Sequence, residues 1–252
     1  MGFCSNRALA RAVSCVLMLF VADAGAQTFP ATGWLALTQG HAVLGDPFDN
    51  TFASSAIDVV GDKNNPGAFV ASDAGYLYFR VRVAGNPVSP ITHHYYGYLW
   101  SCLLDFDQDP QTYELLTGLD ALASSKTVDL DQNTSTGTSD DIGDAAETQL
   151  VSYDAAFYAQ SAPSGSALGG GNDYFVDWAI AWTNLNSGGL AKGTAFRLVC
   201  GTSTSAVSLS GGDVLDSGLG SKSFSADAAD ALFCSDSGCQ YDAVFSDGFE
   251  GP

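Results

Sequence analysis

Positive charge is what this sequence has least of. Nine Lys and Arg stand against 28 Asp and Glu, a formal net charge of −19. A chain of that sign repels phosphate backbones and anionic lipid surfaces, which excludes nucleic acid as a partner class. Histidine occurs three times. His93 and His94 are adjacent, so in an extended segment they point apart, and His41 stands alone; a transition-metal site is not expected. Long apolar runs are missing too. The longest near the start, Ala12 to Val21, is about half the ~20 residues a membrane span needs. No amphipathic helix, internal repeat, Ser-centred elbow, HExxH or phosphate-binding loop is present. Paired carboxylates could serve a glycosidase, but nothing in the sequence pairs them across a cleft.

Residues 1–26 carry the pattern of a signal peptide. Arg7 and Arg11 precede the apolar run, and Ala24-Gly25-Ala26 is a small-x-small cleavage site before Gln27. Cys15 lies inside the apolar run rather than after it, which argues against lipid attachment. Removing Arg7, Arg11 and Asp23 leaves a mature net charge of −20. The protein is expected to be exported, to the periplasm or the cell exterior. Cys102, Cys200, Cys234 and Cys239 remain, an even number in an oxidising compartment, with three possible connectivities.

The mature chain centres on residues 95–120, YYGYLWSCLLDFDQDPQTYELLTGLD. Tyr, Trp, Leu and Phe favour a pleated, buried surface. A central strand is expected from Tyr96 to Phe106, with Tyr96, Tyr98, Trp100, Cys102, Leu104 and Phe106 on one core face. Pro110 has no N–H for a ladder and forces a turn; Tyr113–Leu119 returns as the partner strand. Tyr76–Val83, YLYFRVRV, alternates cleanly, with Leu77, Phe79, Val81 and Val83 on one side. Tyr174–Trp182 does the same through Tyr174, Val176, Trp178, Ile180 and Trp182. Shorter strands are expected at 34–37, 56–60, 68–71, 127–130, 149–153, 156–160 and 194–200, with an exposed loop over 131–144 and a flexible connection over 161–172. About ten short strands with frequent Gly turns specify an all-β fold, an antiparallel β-sandwich of jelly-roll or immunoglobulin-like type. It would occupy residues 27–220 as a single domain. Residues 221–252 would form a tail holding Cys234, Cys239 and a DGFE ending.

Two disulfides follow from placement. SDSG between Cys234 and Cys239 is a turn, so those two can meet. Cys102 and Cys200 each lie on the inward face of an expected strand, which pairs them with each other if those strands are neighbours.

YLYFRVRV, then LLDFDQDP, YELLTGLD and DYFVDWAIAWTNL, in that order over roughly residues 56–205, resemble the family 9 carbohydrate-binding modules and the related DOMON-type β-sandwiches. Tyr174, Val176, Asp177, Ala179, Ile180, Trp182 and Leu185 fall on the last motif, with Asp177 in place of Glu and Ala181 in place of Pro. The resemblance implies an exported sandwich of the carbohydrate-binding type, often with structural calcium. The ending FSDGFE is similar to a short C-terminal motif of other secreted bacterial proteins.

Asp105, Asp107 and Asp109, with Glu114 across the hairpin turn, are the first candidate calcium ligands. Their alternate spacing opens like an EF-hand, but Pro110 and Leu116 stand where that loop needs Gly and Glu, so a looser oxygen cage is expected instead. Asp129, Asp131, Asn133 and Asp140 form a second candidate set. Sugar stacking would fall to Trp34, Tyr95 and Tyr158, since Trp100, Trp178 and Trp182 face inward by alternation. The function expected is a non-catalytic module that binds polysaccharide or cell-surface glycan and is stabilised by calcium. An exported structural or surface protein without a sugar ligand, and a glycoside hydrolase or its accessory protein, stand as alternatives.

Overall fold

The computed structural model describes residues 26–48, 54–107, 109–215 and 223–242. The segment before Ala26, expected as a signal peptide, and the DGFE ending lie outside them. The strands are β1 (Leu35–Ala36), β2 (Thr38–Gln39), β3 (Ala42–Val43), β4 (Ala68–Ser72), β5 (Tyr76–Val83), β6 (Leu99–Asp105), β7 (Leu115–Asp120), β8 (Thr127–Gln132) and β9 (Thr148–Asp154). After helix α1 (Ala155–Tyr158) come β10 (Ala159–Pro163), β11 (Tyr174–Ala181), helix α2 (Trp182–Ser187) and β12 (Arg197–Ser203). Helix α3 (Phe224–Asp227), β13 (Leu232–Ser235) and β14 (Gly238–Tyr241) complete the described chain.

Two five-stranded antiparallel sheets face each other, ordered β1-β4-β5-β11-β10 and β12-β6-β7-β8-β9, and two short hairpins, β2-β3 and β13-β14, accompany them. The sandwich is the expected one, with about fourteen strands rather than ten. Its interior is built from the alternating residues named above. Leu77, Phe79, Val81 and Val83 of β5, with Val176, Trp178 and Ile180 of β11, meet Trp100, Cys102 and Leu104 of β6, Leu115 and Leu119 of β7 and Leu198 and Cys200 of β12. Trp178 stacks on Phe79 with ring centroids 5.5 Å apart.

Both outer faces are covered as well, which strand alternation does not announce. Phe29, Trp34 and Tyr76 pack on Tyr78, Ala71 and Ala179 outside the first sheet. Tyr113, Ile142, Ala146, Leu209, Val214 and Phe224 pack on Leu103, Leu116 and Val199 outside the second. The stretch expected as an exposed loop, 131–144, is therefore anchored by Ile142, which is buried. Residues 223–242 join the same body: Leu232 and Cys234 belong to the central core.

The central strand is shorter than expected. Tyr96 is exposed, and its N–H goes to Pro87 O in a loop closure. At the other end the Phe106 N–H is taken by the Glu114 carboxylate, so the ladder stops at Asp105. Residues 56–60 are not a ladder strand; Val59 makes an isolated bridge to Val83. The strand expected at 156–160 is replaced by α1 and the start of β10. Asp154 caps that helical turn through its side chain to Ala156 N, and the turn carries the chain from one sheet to the other. Trp182 likewise opens α2 instead of ending β11, and the strand expected from Thr194 starts at Arg197.

Both disulfides have the expected pairing. Cys102 and Cys200 are register partners on neighbouring strands of one sheet, with Cα atoms 4.1 Å apart. Cys234 and Cys239 face each other across the β13-β14 hairpin.

Candidate metal centre

The β6–β7 hairpin brings three of the four first-set carboxylates together. Asp105 closes β6 on the outer face of the second sheet and is 1% exposed. Asp107 lies two residues on and is exposed, and Glu114 precedes β7, half-buried. One oxygen from each lies within 4.8 Å of the others. A buried acidic cluster able to hold a metal ion therefore exists at this turn. Asp109 is not part of it. Its side chain accepts from Gln111 N, and its own N–H donates to Asp107 Oδ1. Those two bonds fold the turn and direct Asp109 into its construction.

Glu114 is tied down from two sides. Its N–H donates to Leu104 O, and its Oε2 accepts the Phe106 N–H at 2.9 Å. Burial, with the charges of Asp107 and Asp105 beside it, pushes its carboxyl up from 4.5 to about 7. Arg197, in register opposite Asp105, offers that residue Nε and Nη2. The two residues are 92 positions apart, and pairing of β12 with β6 is what joins them. Three carboxylates against one guanidinium leave the cluster an excess of two negative charges when all are ionised. Oxygen donors alone, carboxylates above all, suit a hard cation.

A raised acid pKa has a definite consequence for stability. The folded state holds the Glu114 proton more tightly than the unfolded chain does, so the favourable contribution is present below the ordinary value. It is lost as pH rises from 4.5 through about 7. In excess chelator, the Glu114→Gln variant should lack this part of the pH dependence. Thermal unfolding of both proteins across that window checks it: identical slopes contradict the assignment.

A cleft of about 380 Å³ adjoins the centre and is lined by Asp105, Arg197, Phe196, Pro110 and Asp230, among others. Asp230 is already engaged there, accepting from Thr38 Oγ1, Gly40 N and His41 N.

The second candidate set divides. Asp129 and Asp131 point to the outer face of β8 and are buried, with Asn133 following the strand. Asp140 is elsewhere, bonded to Ser223 Oγ and to the Ser225 N–H at the start of α3.

The three candidate stacking aromatics do not make one platform. Tyr95 is largely buried, with its ring 5.9 Å from that of Trp100. Tyr158 stacks on Tyr153 at 4.2 Å and touches Tyr76. Trp34 stays partly exposed and covers the Arg80 guanidinium at 4.0 Å, while Phe175 lies 4.4 Å from it on the same outer face. Sequence reasoning missed this group. Arg80 and Phe175 sit on the outward positions of two alternating strands, so the signal was present, but it read as solvated polar surface.

No protein-family model, no curated protein and no solved structure matches this chain. The likeness to family 9 modules therefore rests on the motif order alone.

Proposed function

We propose that this chain is an exported, non-catalytic β-sandwich module that holds calcium at Asp105, Asp107 and Glu114 and binds polysaccharide or cell-surface glycan. The observation that carries it is the convergence of three carboxylates at one hairpin turn. Calcium accepts six to eight oxygens in flexible geometry, which suits carboxylates held at unequal depth better than magnesium's strict octahedron. Export accords with two disulfides, which persist in oxidising compartments. Among the described residues no helix is long and apolar enough to cross a membrane. Support for glycan comes from the outer face of the first sheet. There Trp34 and Phe175 flank Arg80, and polar Gln160 lies beside them, bonded to Asp177. Rings for stacking next to hydrogen-bonding groups are what a sugar surface requires.

Binding to the folded state alone stabilises by mass action, ~2.7 kcal/mol at a hundredfold excess over Kd. Millimolar calcium should raise the melting temperature relative to chelator, and Glu114→Gln should reduce that rise. Equal melting temperatures of the wild type in both conditions would sink the calcium reading. Glycan-array binding, weakened by Trp34→Ala or Phe175→Ala, checks the ligand. Hydrolysis of a polymeric glycan that a single carboxylate substitution removes would replace the binding reading with a catalytic one.

A further inference from the structure

We infer that the glycan ligand is an uncharged, extended polysaccharide, held along several consecutive sugar rings by one aromatic strip on the outer face of the first sheet; the inference rests on the glycan-binding reading above. The strip follows β5. The outward positions of that strand are Tyr76, Tyr78, Arg80 and Arg82, and six residues of extended chain cover about 20 Å. Near one end Phe175, opposite Arg82 in register, lies 4.4 Å from the Arg80 guanidinium, and Trp34 covers the same group at 4.0 Å. Trp34 and Phe29 both stand on Tyr78, with ring centroids 6.5 and 5.8 Å from it. Tyr76 is 6.1 Å from Tyr78, and Tyr158 is 6.2 Å from Tyr76, which brings the row to the other end of the strand.

The row is more than a cover for the sheet. Tyr78 is fully buried, whereas Phe29, Trp34, Tyr76, Tyr158 and Phe175 each keep part of their surface in water. Phe175 pairs with Arg82, two outward positions past Tyr78, so the burial of Tyr78 does not account for its place. The rings are also fastened. Trp34 Nε1 donates to Pro30 O, and Gln27 N donates to Phe157 O. Gln27 Nε2 donates to Tyr78 OH, which in turn donates to Asp73 Oδ2. Rings fixed before a ligand arrives spare the cost of ordering them on binding.

An aromatic ring offers an apolar face to the apolar face of a pyranose. Platforms set along about 20 Å of strand are too far apart to serve one sugar. A polymer laid along the row meets the second platform at high effective concentration once it holds the first, so affinity grows with chain length. Charge narrows the class further. Arg80 is neutralised by Asp177, and the whole chain carries a formal −19, which disfavours polyanionic glycans.

The test is calorimetric titration of the full-length mature protein with cello-, xylo- and manno-oligosaccharides, from disaccharide to hexasaccharide, and with polygalacturonate. Binding to cellulose, xylan and mannan is measured alongside. In one neutral series the affinity should rise about tenfold or more from disaccharide to hexasaccharide. This length series uses the wild type and needs no variant to fold. Phe175→Ala and Tyr158→Ala, at opposite ends of the strip, should each lower hexasaccharide affinity several-fold, with circular dichroism confirming that the fold is retained. Equal affinity at every length overturns the strip, as does a folded Tyr158→Ala protein with wild-type hexasaccharide affinity; either result leaves the glycan-binding reading in place. Tighter binding of polygalacturonate than of every neutral series overturns the uncharged class. Absence of binding to all of these oligosaccharides and polymers removes the glycan-binding reading itself, and this inference with it.

Discussion

Replacing both Cys102 and Cys200 with alanine should lower the stability of this protein by up to ~4.7 kcal/mol, the chain-entropy value for a loop of about a hundred residues. The bridge spans 98 residues. Within that span lie β7, β8, β9, β10 and β11, so the bond restrains most of the second sheet and two of the five strands of the first in the unfolded chain. It also fastens β12, an edge strand, to the sheet through a register pair at its middle. For a domain of this size the corresponding fall in melting temperature is roughly 10–20 °C. The Cys234→Ala/Cys239→Ala protein makes the comparison. Its bridge spans five residues, for which the same relation gives about 2 kcal/mol or less. Denaturant unfolding of the two variants should rank them in that order. A Cys102/Cys200 variant no less stable than the Cys234/Cys239 variant would show that the unfolded chain does not feel the long loop.

Asp177→Ala should cost about 3–5 kcal/mol, the usual result of removing one partner of a buried ion pair. Asp177 is 0% exposed and accepts from Arg80 Nε at 2.7 Å and Nη2 at 2.8 Å, a bidentate contact across the β5-β11 ladder. Gln160 on β10 adds a third bond to its Oδ2. Truncation therefore strands a guanidinium held between Trp34 and Phe175, together with an amide. Arg80→Met with Asp177→Leu removes both charges at once and should recover most of the loss, because exchange of a buried pair for apolar groups is often near neutral. If the double variant is as unstable as Asp177→Ala, packing of the aspartate rather than charge pairing explains the effect.

The pairing of Arg80 with Asp177 shows where sequence reading stops. YLYFRVRV and YFVDWAIA each alternate, and alternation assigned their inner residues to the core correctly: Phe79, Val81, Val176 and Trp178 are all buried there. The outer residues looked solvated in both strands. They are instead covered by Phe29, Trp34 and each other, because the segment before β1 lies over that face. A period of two says which residues share a side of a strand; it does not say whether a distant segment will cover that side.

The hairpin centre divides the same way. Four acidic residues at one turn were legible, as was the impossibility of an EF-hand. That Asp109 turns away to build the turn, and that Arg197 supplies the counter-charge, follow from hydrogen bonds and strand register. The second set was read from proximity in sequence as one cluster; Asp129 and Asp131 share the outer face of β8, whereas Asp140 is bonded at the start of α3.

The sequence by itself determined the all-β class, the inward tryptophans, the acidic character and both disulfide partners, because each depends on local alternation, composition or a short turn. The tertiary structure decided what covers the outer faces, which carboxylates converge, and that Asp105 and Asp177 meet the Arg197 and Arg80 guanidinium groups. Those outcomes depend on contacts between residues tens to more than a hundred positions apart, whose geometry exists once the two sheets have paired and packed.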